Sequence, residues 1–104
     1  MRLENAEAMH AAHPDTFQIP VDLERHVLWS GCGVKLGFLP PDDDAGGERM
    51  WVLVEERLDD GTYVGSLKSR PFDPEGMGVT QDDRVAFGPE HVLDVVAPAD
   101  KAVS

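Results

Sequence analysis

Apolar positions along this chain recur mostly at every second residue, and turn residues separate the runs. Val34-Lys35-Leu36-Gly37-Phe38 alternates cleanly, which puts Val34, Leu36 and Phe38 on one face of a strand. Met50 to Leu58 is the longest such run. Met50, Val52 and Val54 share one face, while Trp51, Leu53, Glu55 and Arg57 share the other. Apolar residues on both faces mark a central strand. Asp60-Gly61 follows, among the strongest short-range hairpin signals, so Thr62 to Ser69 returns antiparallel. Asp83-Arg84-Val85-Ala86-Phe87 and Val92 to Val96 supply two further strands. Gly88-Pro89-Glu90-His91 joins them, with Pro89 suited to the first corner of a turn.

The N-terminal region reads differently. Leu3, Ala6, Met9 and His10 fall at helical spacing within an Ala- and Glu-rich stretch, which predicts one short amphipathic helix from Leu3 to Ala12. His13-Pro14 ends it, because a residue preceding proline avoids the helical region. Thr16 to Pro20 alternates and predicts a short extended piece at a sheet edge. Asp22 is placed to cap a helical turn reaching Val27 or Leu28, with Leu23 and Val27 on one side. Pro40 to Gly47 and Pro71 to Thr80 read as loops. Five short strands joined by hairpins predict a mainly β (α+β) fold, a small SH3-like curved antiparallel barrel with an N-terminal helical segment. The expected organisation is a single domain over 1–104, with the helix in 1–13, the barrel in 14–97 and a flexible tail in 98–104.

Composition narrows the function classes. A chain of 104 residues holds one core, burying roughly 60–65% of the surface that the unfolded chain exposes. Asp and Glu number 20 against 9 Lys and Arg, a formal net charge of −11. Nucleic acid and anionic membrane surfaces are disfavoured partners, since affinity for phosphate comes mainly from Lys and Arg. A basic protein partner suits this charge. The acids concentrate in residues 41–60 as Asp42, Asp43, Asp44, Glu48, Glu55, Glu56, Asp59 and Asp60, against Arg49 and Arg57. No apolar run approaches the ~20 residues that span a bilayer. The acidic N-terminal stretch lacks the basic and then greasy pattern of a secretion signal, so a cytoplasmic location is expected. With Cys32 as the single cysteine, neither an intrachain disulfide nor a cysteine-based metal site can form.

Candidate chemistry is sparse. Glu90, His91 and Asp94 could form an acid–base or metal group, but the favoured reading is a turn in which Glu90 or His91 bonds nearby backbone, and no third ligand at fixed spacing supports zinc. His10 and His13 share helical spacing, with His13 at a helix end. Asp42-Asp43-Asp44 with Glu48 lacks the alternation and central glycine of a calcium loop. Cys32, between Gly31 and Gly33, has no Cys/His/Asn signature around it. No cofactor or metal is expected, and no enzymatic activity. Trp29 and Trp51 are the residues costliest to leave exposed. Trp51 is either covered by the N-terminal helix, the reading favoured here, or an anchor for a partner.

The order Thr16 to Pro20, Arg25, Gly33-Val34-Lys35-Leu36-Gly37-Phe38, Gly47-Glu48-Arg49-Met50-Trp51-Val52, Tyr63-Val64-Gly65-Ser66-Leu67 and Asp83 to Val92 resembles an uncharacterised family of small bacterial domains, some of them immunity-protein-like. The resemblance covers roughly residues 14–96. It implies a compact β domain that binds something instead of turning a substrate over. Two departures matter. Relatives tend to carry Gly-Asp where this chain has Gly31-Cys32-Gly33, and an acidic Asp-Asn-Asp-Pro-like step where it has Lys68-Ser69-Arg70-Pro71. Lys68 and Arg70 would invert the local charge there. The expected function is a non-enzymatic acidic protein-interaction module, immunity- or inhibitor-like. Its expected contacts are Asp42, Asp43, Asp44, Glu48, Trp51, Glu55, Lys68, Arg70 and His91, with the loop at 71–80. The alternative is a small-ligand-binding regulatory domain with a pocket at the barrel mouth near Trp51, Tyr63 and His91.

Overall fold

A computed structural model describes residues 2–20, 25–26, 28–40 and 47–96. The elements run β1 (Arg2–Leu3), α1 (Ala6–Ala12), β2 (Gly33–Leu39), β3 (Glu48–Arg57), β4 (Tyr63–Leu67), α2 (Pro74–Met77), β5 (Arg84–Phe87), a 3-10 turn (Pro89–His91) and β6 (Val92–Val96). Strands β2 to β5 form an antiparallel meander, and the 3-10 turn sends β6 back to pair with β2. The result is a mainly β, SH3-like, curled half-barrel with a short helix at its N-terminus.

The register realises the alternation in the sequence. Val34 lies opposite Val52 and Val95, Leu36 opposite Met50 and Val92, and Gly65 opposite Val54 and Val85. Val34, Leu36, Phe38, Met50, Val52, Val54, Leu67, Val85, Phe87 and Val92 are all buried in one cluster. Burial of each such side chain contributes about 1.5–3 kcal/mol, so this face fixes the register. Irregular pairings between Val54 and Glu56, and between Lys35 and Leu36, increase the local twist and curl the sheet. At Gly65 a Cβ would overlap the Leu53 carbonyl, so only glycine lets β3 and β4 approach this closely.

The hairpin forms where Asp60-Gly61 predicts it. Leu58 accepts from Gly61 N at 3.0 Å and donates to Thr62 O at 2.8 Å, and Gly61 has φ +89°. That is a type I turn closed by a left-handed glycine, with Asp59, Asp60 and Gly61 in the loop.

The N-terminus differs from expectation in two ways. Helix α1 starts at Ala6 because Asn5 caps it, its Oδ1 accepting from Ala8 N at 2.9 Å. Leu3 therefore extends the chain into a ladder, opposite Phe38, and packs on the core. Thr16 to Pro20 joins no strand. Phe17 N instead bonds back to His13 O at 2.9 Å, and His10 Nδ1 lies 2.6 Å from the Phe17 carbonyl. Arg25 and His26 are helical, whereas Asp22, Leu23 and Val27 of the expected helical turn, and the tail from Pro98, lie outside the described residues.

One end of the barrel is plugged by polar groups with partners. Helix α1 packs on the 3-10 turn. Buried Arg25 reaches both, with Nη1 donating to the Glu7 carboxylate and the Pro89 carbonyl (3.1 Å) and Nε donating to Pro20 O at 2.9 Å. Beneath it the Tyr63 hydroxyl donates to Arg25 O at 3.4 Å and accepts from Leu28 N at 3.3 Å, and its ring stacks on Phe87. Among the described residues, no helix is long and apolar enough to cross a membrane.

Candidate functional site

The residues expected to bind a partner do not form one patch. Asp42, Asp43 and Asp44 lie outside the described residues. Glu48, Lys68 and Arg70 belong to the end of the barrel where the β4–β5 connection lies. Trp51 and Glu55 sit on the outer face of β3. His91 is at the opposite end, where its Nδ1 accepts from Gly88 N at 2.9 Å and closes the 3-10 turn.

Glu48 is not a free acid. Its carboxylate accepts from Phe72 N through both oxygens, at 2.9 and 3.1 Å, and so clamps the β4–β5 connection to the start of β3. That connection is built in detail. Pro71, Met77 and Val79 are buried beneath it. Asp73 caps α2, its Oδ1 accepting from Gly76 N at 3.1 Å, and a Cβ at Gly76 would overlap that carboxylate. Gly78, at φ +79°, ends the single turn with its N–H on Pro74 O at 2.9 Å. Lys68 bonds Asp82 at 3.2 Å, Gln81 bonds Lys68 O at 3.0 Å, and Thr80 N bonds Asp83 at 2.9 Å. Out of this fixed frame Phe72 projects with 95% of its surface exposed.

A second surface lies on the outside of the sheet. Lys35 faces Trp51 across the β2–β3 ladder, its ammonium 5.2 Å from the ring centroid. The indole also packs over Gly33, where a Cβ would sit 3.7 Å from Trp51 Cε3 and 3.9 Å from Val96 Cβ. Trp51 is thus half-buried, flanked by Lys35 and β6, while α1 packs mainly on the 3-10 turn; the expected cover by the helix is replaced by these neighbours. Two rows along, Arg49 holds its guanidinium 5.5 Å over the Phe17 ring and 3.8 Å from Glu4. A cleft of about 230 Å³ is lined by Thr16, Phe17, Gln18, Lys35, Arg49, Leu93 and Asp94. Glu55, further along the same face, pairs loosely with Arg84 at 3.9 Å.

Other candidates are structural. Cys32 is buried in the turn that joins β2, where Val54 N bonds its carbonyl at 2.8 Å. Among the described residues, no three His, Cys, Asp or Glu side chains are grouped to hold a metal. Asp60, in the hairpin loop, has its carboxyl pKa lowered, first by the Thr62 hydroxyl (2.6 Å) and then by the Thr62 backbone N–H. The sequence reading missed Phe72. The Asp73-Pro74 and Gly78 helix signals could have shown that the loop is ordered. Comparisons with protein-family models, curated proteins and solved structures found no match for this chain.

Proposed function

We propose that the protein is a non-enzymatic module that docks onto a basic protein partner, with Phe72 as its anchor. One observation carries this reading: a phenylalanine 95% exposed on a loop whose backbone is pinned by Glu48, Asp73 and the buried Pro71, Met77 and Val79. Burying that ring in a partner's pocket is worth about 2–3 kcal/mol of apolar transfer. Little ordering opposes it, because the loop is already held in one shape. Asp73, Glu75, Asp82 and Asp83 are exposed in the same connection, and with the net charge of −11 they favour a pocket rimmed by Lys and Arg. An immunity- or inhibitor-like role, occluding a basic target such as a nuclease, fits this surface.

The test is a paired capture. Wild type and Phe72→Ser are immobilised and exposed to a lysate of the source organism at low salt. The expected result is a basic protein held by wild type, missing from F72S, and released at about 0.5 M salt, where charge steering is screened. The same proteins on both baits, or retention indifferent to salt, would overturn the proposal.

A further inference from the structure

We propose that Asp60-Gly61 is a covalent modification site, where the backbone rearranges through a succinimide to an isoaspartyl linkage, and that Thr62 restrains this rearrangement in the folded hairpin. The hairpin lies at the far end of β3 from Glu48 and Phe72, so this chemistry is independent of partner docking.

The sequence singles out this step. Succinimide closure needs an aspartyl or asparaginyl residue followed by a backbone nitrogen that no side chain shields. Asp60-Gly61 is the one Asp-Gly step in the chain, and Asn5, its single asparagine, precedes Ala6. The loop also stands clear of its surroundings. Asp60 is exposed, and a Cβ at Gly61 would meet no described atom within 4 Å beyond its chain neighbours.

In the reaction the Gly61 nitrogen attacks Asp60 Cγ and a C–N bond forms. The carboxyl hydroxyl leaves as water with the Gly61 N–H proton. Water then opens the ring at either carbonyl. Attack at Cγ restores Asp60, whereas attack at the former peptide carbonyl routes the chain through Cγ and adds a methylene to the backbone. No oxidant or cosubstrate is consumed. Because Leu58 N and Thr62 O close the hairpin at 2.8 Å, an added backbone atom between them opens that end of β3 and β4.

The folded turn occupies both reacting groups. Gly61 N–H, whose proton has to be lost, is donated to Leu58 O at 3.0 Å. Asp60 Oδ1 accepts from the Thr62 hydroxyl at 2.6 Å and from Thr62 N at 3.0 Å, which ties the carboxyl to the chain beyond the glycine. Attack needs the reacting atoms aligned and about 3–3.5 Å apart. Freeing the Gly61 proton breaks the Leu58 bond, and turning the carboxyl face toward Gly61 N breaks the Thr62 pair. The Thr62 contacts also favour the ionised carboxyl. A carboxylate is the poorer electrophile, because oxide would have to leave.

The test ages wild type, Thr62→Val, Thr62→Ser and Asp60→Glu as full chains in mildly acidic buffer, each folded and in concentrated urea. Trypsin releases residues 58–68 as one peptide by cutting after Arg57 and Lys68. An isoaspartyl-specific methyltransferase with labelled S-adenosylmethionine, followed by fragmentation of that peptide, locates the new linkage. Folded wild type should form it roughly tenfold or more slowly than the unfolded chain, because the hairpin bonds must open first. T62V, with native spectra, should age about three- to tenfold faster than folded wild type, while their unfolded rates match. T62S keeps the hydroxyl and should age like wild type. D60E should give no isoaspartate, because its longer side chain closes a larger ring far more slowly. No isoaspartate in unfolded wild type, equal folded and unfolded rates, T62V ageing like wild type, T62S ageing like T62V, or isoaspartate persisting in D60E would overturn the proposal.

Discussion

The two ends of this barrel treat their side chains in opposite ways. At the plugged end, Arg25 is only 3% exposed yet bonds Glu7, Pro20 and Pro89, and Tyr63 is fully buried with its hydroxyl bonded on both sides. Polar groups have been taken out of water there and given partners within the chain. At the other end the loop backbone is satisfied just as thoroughly, but the largest apolar group, Phe72, is left outside. The first end is complete in the isolated protein. The second leaves its most exposed apolar side chain in solvent, and the proposed docking role rests on that contrast.

The contrast breaks if the ends respond alike to mutation. Arg25→Ala should have the largest effect, lowering stability by about 2–4 kcal/mol in urea unfolding, because it empties the buried guanidinium site and leaves the Pro20 and Pro89 carbonyls without their donor, while the half-exposed Glu7 carboxylate returns to water. A loss below about 1 kcal/mol would mean that water replaces the guanidinium there. Tyr63→Phe should cost about 1–2 kcal/mol by the same measurement, since the Leu28 N–H loses its acceptor. Phe72→Ser, by contrast, should shift stability by no more than about 0.5 kcal/mol while removing partner capture. An unfolded F72S would place Phe72 in the core and merge the two ends into one.

The finest test lies in the hairpin loop. The Asp60 carboxyl is held below the ordinary aspartate value of 3.8, chiefly by the Thr62 hydroxyl. A depressed folded value means that this turn contributes stability above that ordinary value and loses it as pH falls through the folded one. Thr62→Val should move the Asp60 midpoint upward in a carboxyl NMR titration, with little change elsewhere. An unmoved midpoint would show that the backbone N–H alone sets it.

The strands were legible because their evidence is local. Val34, Leu36 and Phe38, or Met50, Val52 and Val54, announce their face by period alone, and Asp60-Gly61 announces the hairpin. The site was largely illegible because its logic is long-range. Glu48 reads as one more surface acid until its carboxylate is seen on Phe72 N, 24 residues away. Arg25 reads as a surface cation until Pro89, 64 residues away, is found accepting from it. Trp51 was placed on the correct face, but what lies over it depends on the β2 and β6 registers, which no local pattern states. The capping signals around Pro74–Met77 were present and were outweighed by the prolines and glycines that suggested a plain loop.

The return of β6 to β2 has a consequence for how the chain folds. Gly33 finds one neighbour, Leu53, within the same meander, but its other neighbour, Val96, arrives only when nearly the whole domain has been synthesised. Until then one edge of β2 is open to any passing strand, and ring closure is the slow, late step expected of distant pairings. The short Arg2–Leu3 strand pairs with Phe38 and Leu39 on that same edge, so the stretch from Gly33 to Leu36 is the part whose cover must come from the far end of the domain.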